Sequence, residues 1–208
     1  MYVEIEQKYQ RQRIEIIKSI VECLPYFEWD RQLIREAEAN CGFNEGYCWI
    51  LFGNKLENVI SFYEEWQDEL MSNLLSSREP SIKVREKISD ALKIRIKYCS
   101  SKKNISKNRI FFLKPKNYAL GTKLAWQTCD KIWHYAGDNS IDFNYYSKRS
   151  LLFGVYLSSL NYYINDQSDD CQKTDQFIDQ ALAKIINLAS LKSKIPTLEN
   201  IPIIRLFL

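Results

Sequence analysis

Between Ile14 and Ala189 apolar side chains recur at intervals of three and four residues, and no stretch alternates strictly as a half-buried strand would. That one periodicity limits the chain to helix-on-helix architectures and predicts an all-α domain of about nine helices. Six glycines and five prolines in 208 residues leave few turns, which favours long helices over a many-stranded sheet. A chain of this length suits one domain with a sizeable core.

The stripes give the order of elements. Ile14, Ile17, Val21 and Leu24 form the first, closed by Pro25. Trp29-Asp30 opens a short helix to about Asn40, with Gly42 as its stop, and Asn44 is placed to cap a third helix ending near Gly53. Leu56, Val59, Ile60, Tyr63, Trp66, Leu70 and Leu74 trace a long amphipathic helix, broken at Glu79-Pro80-Ser81. Val84, Ile88, Leu92 and Ile96 share the inner face of the next, with Lys83, Glu86, Lys87, Asp90 and Lys97 opposite. A lysine-rich connection, Ser100–Lys107, is expected before Ile110–Leu113, and Pro115 ends that piece. Residues 118–136 carry apolar groups on several sides, as an enclosed helix would. Phe143–Ile164 is apolar almost all round and is expected at the centre of the fold or in an oligomer interface. Ile178, Leu182, Ile185 and Leu188–Ala189 give the last helix.

A net charge of +3 is too mild to argue for nucleic acid. Six cysteines without a CxxC pair, scattered among apolar residues, read as reduced structural residues. With one histidine, His134, flanked by Trp133 and Tyr135, and no HExxH or Glu-x-x-His, the chain lacks metal ligands in a usable spacing, and that histidine reads as a packing residue. Neither a Gly-rich phosphate loop nor a GxSxG elbow is present, so the chain is not expected to be an enzyme or to need a cofactor. Glu4 and Glu6 interrupt the first segment, which does not read as a signal or transit peptide. Five Trp, thirteen Tyr and ten Phe supply amphipathic contact area suited to apolar ligands, to interfaces or to a packed core.

The most distinctive stretch is Gly137–Arg149, GDNSIDFNYYSKR. Gly137 fits a helix stop and Asp142 the N-cap of the helix that follows. Tyr145 and Tyr146 then point about 100° apart, so one can face the core while the other stays exposed. With Arg149 one turn on, the expectation is an aromatic-plus-basic patch of the composition found at protein–protein hot spots.

Two regions carry a family resemblance. FEWDRQLIREAEANCGFNEG resembles the helix-turn-helix opening of TetR-type regulators, in which a tryptophan-led helix, a glycine turn and a recognition helix follow one another. The block around GDNSIDFNYYSKR resembles the signature of the Coq-nine family of ubiquinone-biosynthesis accessory proteins, GDxSxDFN followed by Trp-Tyr, Thr and two basic residues. Gly137, Asp138, Ser140, Asp142, Phe143, Asn144, Tyr146, Lys148 and Arg149 match, while Tyr145 replaces Trp and Ser147 replaces Thr.

The resemblance implies a TetR-regulator-like helical bundle with a degenerate N-terminal helix-turn-helix, assembled as a homodimer. It implies binding of an isoprenoid quinone intermediate and its presentation to a di-iron demethoxyubiquinone hydroxylase, a contact assigned to Asp142, Tyr145, Tyr146 and Arg149. Trp126, Ile132, Trp133, Phe153, Tyr156 and Leu157 are candidate lipid-lining residues, and fit a solid core equally well. The expected division is a helix-turn-helix-like region 1–53, a lipid-binding and dimerisation domain 54–190, and an apolar tail 191–208.

In that tail Ile203, Ile204, Leu206, Phe207 and Leu208 must dock on the domain, on a partner or on a membrane surface. The expected location is cytoplasmic and peripheral to the inner membrane in a bacterium, or the matrix side in a mitochondrion. The alternative is a TetR-type ligand-responsive transcriptional regulator, and a carrier of other fatty lipids comes third. Against DNA binding, no Lys or Arg lies between Arg35 and Lys55, where a recognition helix needs them.

Overall fold

The computed structural model describes residues 2–79, 83–139 and 143–192. Among them are nine α-helices and no strand. They are α1 (Tyr2–Cys23), α2 (Arg31–Asn40), α3 (Tyr47–Phe52), α4 (Leu56–Ser76), α5 (Val84–Lys93), α6 (Lys102–Phe112), α7 (Tyr118–Tyr135), α8 (Phe143–Asn165) and α9 (Gln172–Lys192). The all-α fold class is as the periodicity requires. The expected tail 191–208, with its apolar residues Ile203 to Leu208, lies almost wholly outside the described residues.

Local chemistry sets the early boundaries. Asp30 accepts hydrogen bonds from the backbone amides of Gln32 and Leu33, at 2.9 and 3.1 Å, and starts α2. The α3 cap differs from expectation. Its acceptor is Glu38 of α2, whose Oε1 and Oε2 take the amides of Cys48 (2.7 Å) and Gly46 (3.0 Å). Gly46, at φ 91°, turns those amides toward α2 in a conformation a β-carbon would disfavour. Asn44 contributes only a backbone carbonyl, to Tyr47.

The core has two parts. Ile16, Ile17, Ile20, Leu33, Ile34 and Leu51 pack with Val59, Ile60 and Tyr63 of α4, so the first core continues past residue 53. Met71 and Leu75 at the other end of α4 join Ile88, Leu92, Ile132, Leu152, Val155 and Ile178 in the second. The helix α4 therefore belongs to both, and α7 packs against α4, α5 and α8.

Two expectations are corrected. The lysine-rich stretch 100–107 is no loop: Ser101 caps α6 through Asn104 N (3.2 Å), and the buried side of the helix carries Asn104, Ile105, Asn108 and Phe111. Polar side chains on the inner face hide its periodicity. Next, α5 runs into a π-helical turn, Ile94–Tyr98, which shifts the register and turns Lys97 inward to Asp175 at 2.8 Å. The helix α8, expected at the centre of the fold or in an oligomer interface, has one buried face and exposed apolar residues on the other. Arg149, Leu152, Tyr156, Ser159 and Tyr163 face inward at helical spacing, while Leu151, Leu157 and Tyr162 remain exposed.

Candidate functional site

Two features occupy the α6–α8 half of the molecule: a tied corner and a cavity. The corner begins where α7 stops. Gly137 (φ 90°) donates its amide to His134 O and Asp138 to Trp133 O, both at 3.0 Å. These paired bonds form a Schellman closure, and Gly137 is there because the chain must enter the left-handed region. His134, expected to pack, is exposed in this last turn.

Arg149 fastens the far side of the corner. Its Nε donates to Asp130 of α7 at 2.5 Å and its Nη1 to Asp138 at 3.1 Å and to the Tyr145 carbonyl at 3.2 Å. The guanidinium lies 3.5 Å from the centre of the Tyr145 ring, and the Tyr145 hydroxyl also donates to Asp130, at 3.1 Å. Lys148 adds a second ion pair to Asp138 at 2.6 Å.

Arg149 is 1% exposed, so the expectation that it stands in a surface patch is corrected. Spacing alone put it beside the rings; the two aspartates draw it beneath them. Tyr145 is half-buried, and Tyr146 stays 61% exposed with its ring edge-on to Tyr145. Asp142 and Ser140 lie outside the described residues.

The cavity, about 270 Å³, lies among α4, the π turn, α6, α7 and α8. Of the expected lipid-lining residues it is lined by Phe153, Tyr156 and Leu157. Ile132 is solid core, and Trp126 and Trp133 lie away from the lining. The residues that the sequence did not mark are Ile105, on the stretch read as a connection, Phe112 and Leu113, on the short piece after it, and Leu124, Ala125 and Leu160. At Gly121 a β-carbon would come within 2.8 Å of Phe112 Cβ and Cγ, so the glycine permits close approach of α6 and α7 at the cavity wall.

One end of the cavity is polar. Arg95, in the π turn, donates through Nε to Asp68 at 2.7 Å and through Nη2 to Glu64 at 2.6 Å. Asn108 donates to Glu64 Oε1 at 2.8 Å and accepts from Trp29 Nε1 at 2.7 Å. Thr128 and Lys131 complete the shell of Asp68. Burial pushes the Glu64 carboxyl up despite Arg95 beside it. No charge here had a signal in the apolar pattern.

Among the described residues no group of three or more His, Cys, Asp or Glu is placed to hold a metal ion. Burial pushes the Cys48 and Cys99 thiols up, to about 12 and about 11, which leaves little thiolate for nucleophilic chemistry at neutral pH. No described helix is long and apolar enough to cross a membrane.

The arrangement of helices is that of a TetR-type regulator. A solved TetR transcriptional regulator from Nitrosomonas europaea superposes with a TM-score of 0.66, covering 84% of this chain and 97% of that one. At 15% identity the likeness is one of fold. The sequence narrows the class: residues 118–189 match the COQ9 family model, so α7, the tied corner and most of α8–α9 carry that family's pattern.

Two mitochondrial ubiquinone biosynthesis proteins COQ9 illustrate the similarity. That of Rattus norvegicus is 24% identical over 184 residues, 83% of this chain and 58% of that protein. That of Xenopus tropicalis is 24% identical over 200 residues, 91% of this chain and 61% of that protein. This chain thus spans about three fifths of the length of these relatives.

Proposed function

We propose that this chain is an accessory protein of ubiquinone biosynthesis. It binds isoprenoid quinone intermediates in the cavity between α6, α7 and α8 and presents them to a di-iron demethoxyubiquinone hydroxylase. The observation that carries the reading is the coincidence of the two features with the COQ9-like segment: residues 118–189 include the tied corner and Phe153, Tyr156, Leu157 and Leu160 of the cavity. At about 270 Å³ the cavity is slightly below the ~300–1,000 Å³ of drug-sized sites. It suits a head and the first part of a chain, with the rest of a long tail passing Leu113, Tyr118 and Leu157 at the exposed mouth.

Binding rather than catalysis is the role of these residues. The exposed Tyr146, held by the Arg149 network, offers the hydroxylase a rigid aromatic anchor. Exposed Ile110, Leu151 and Tyr162 on α6 and α8 supply apolar area for a homodimer or a membrane surface, and Ile203, Ile204, Leu206, Phe207 and Leu208 are proposed to add to the latter.

A regulator reading has the TetR-like fold in its favour. Against it, α3 offers Tyr47, Trp49 and an exposed Ile50 where phosphate-binding cations are needed. The test is complementation: expressed in cells deprived of their own COQ9 protein, the chain should restore ubiquinone and lower the demethoxyquinone pool. Unrestored ubiquinone with stable expression, together with sequence-selective DNA binding, would replace this reading by the regulator.

A further inference from the structure

The cavity has a buried polar end, and its exposed lining sets apolar side chains beside Arg109, Thr122 and Asn161. Arg95, Tyr156, Asn108 and Ser100 are all under one-tenth exposed, whereas Leu113, Tyr118 and Leu157 at the other end are 64%, 63% and 43% exposed. A ligand head that reaches the floor meets those four buried side chains.

The charges at the floor are already matched. Arg95 is shared between Asp68 and Glu64, and Lys131 approaches Asp68 at 3.5 Å, so two bases face two acids. An incoming carboxylate or phosphate would meet a guanidinium that is already paired and would lie beside Glu64, gaining little to offset its desolvation. Glu64 has both oxygens engaged, by Arg95 and Asn108. The Tyr156 hydroxyl, by contrast, makes no hydrogen bond to any described residue although its ring is buried beside this cluster. Burial also pushes its phenol well above the usual range, which keeps the proton on the oxygen. It is a donor waiting for an acceptor.

We propose that the cavity selects neutral amphiphiles over anionic ones, receiving a carbonyl oxygen of the ligand head on the Tyr156 hydroxyl at the Glu64–Arg95–Asn108 floor. The proposal rests on the lipid-binding reading and adds a specificity-determining residue to it. A carboxylate head is disfavoured at this floor and is left to Arg109 in the exposed lining, and pure hydrocarbons bind without the head contact.

The experiment titrates the full chain, by quenching of its tryptophans, with three probes: a benzoquinone bearing two isoprene units, the corresponding hydrocarbon, and palmitate, all at pH 7.5. The wild-type protein should prefer the quinone to palmitate by at least about tenfold. Tyr156→Phe keeps the ring and should weaken quinone binding about five- to tenfold, as the loss of one buried hydrogen bond does, without changing hydrocarbon binding. Palmitate binding as tight as the quinone, or a folded Tyr156→Phe with unchanged quinone affinity, overturns the proposal while leaving a lipid site in place. Failure of both quinone and hydrocarbon to bind overturns the lipid reading itself. The wild-type comparison of quinone with palmitate decides the matter even if the variant does not fold.

Discussion

Arg149 of α8 holds Asp130 of α7 at 2.5 Å while its guanidinium packs 3.5 Å from the centre of the Tyr145 ring. One buried cation thus joins two helices and orients an aromatic side chain. Asp138, 7% exposed at its side chain, completes the arrangement from the Schellman turn. The family-like signature is therefore first a structural tie, and its outward face depends on that tie.

Removing Arg149 takes a buried guanidinium from two carboxylates, of which Asp138 keeps Lys148 and Asp130 keeps the Tyr145 hydroxyl. Arg149→Met should destabilise the protein by about 1.5–3 kcal/mol, the usual worth of hydrogen bonds to charged groups. Urea denaturation followed by far-UV circular dichroism measures it. A loss below about 1 kcal/mol would mean that water reaches Asp130 and Asp138 freely enough to replace the guanidinium.

Tyr145 and Tyr146 should separate in their effects. Tyr146→Ala removes an exposed ring and should leave stability within about 0.5 kcal/mol, while weakening binding of the proposed hydroxylase partner some thirtyfold, the equivalent of about 2 kcal/mol. Tyr145→Ala should lower the melting temperature as well, because the ring covers Arg149. A pull-down or titration beside thermal melts distinguishes them. Unchanged binding by a folded Tyr146→Ala would remove this ring from the interface.

At Gly121 a methyl group meets Phe112 at 2.8 Å, and the contact is with Cβ and Cγ rather than a mobile tip. Gly121→Ala should force α6 and α7 apart, at about 1–3 kcal/mol, and disturb the cavity wall between them. Reduced lipid occupancy in a protein that still folds is the expected result. Gly137→Ala has open space around its β-carbon, so its cost is backbone strain at φ 90° alone and lipid occupancy should be unaffected.

Asp166 ties the end of α8 to the start of α9. Its carboxylate accepts from Ser168 N (2.8 Å), Ser168 Oγ (2.6 Å), Thr174 N (2.8 Å) and Thr174 Oγ1 (2.6 Å). Burial alone would raise this carboxyl, but the four hydrogen bonds prevail and hold it well below the ordinary range. The native state then binds fewer protons than the unfolded chain. The stabilisation is complete above the unfolded value of ~3.9 and declines as the pH falls toward the lower folded value. Asp166→Asn should cost about 1–2 kcal/mol at pH 7, with the gap to wild type narrowing below about pH 4. A gap independent of pH in chemical denaturation would contradict this.

The sequence made the helical framework legible because its helices bury ordinary apolar stripes: Ile17 in α1, Val59, Ile60 and Tyr63 in α4, Ile178 and Leu182 in α9. It also marked the corner, through Gly137 and the acids and bases around it. It hid whatever is buried and polar. α6 turns Asn104 and Asn108 inward, so a helix lining the cavity read as a lysine-rich connection. Arg95 and Arg149 carried the signal of solvated charges, although each is paired inside the fold with acids from other helices. A spacing of three or four between amides, as in Asn104–Asn108, was the one cue available.

A neutral isoprenoid lipid proposed to occupy the cavity walled by α6, α7 and α8 should travel with the purified protein. Organic extraction of the purified protein, followed by mass spectrometry, tests it most directly, with Gly121→Ala purified in parallel. The wild-type extract should contain an isoprenoid quinone or a precursor, and the variant extract should be markedly depleted of it. An extract free of lipid, or one dominated by fatty acids at equal levels in both proteins, would contradict it.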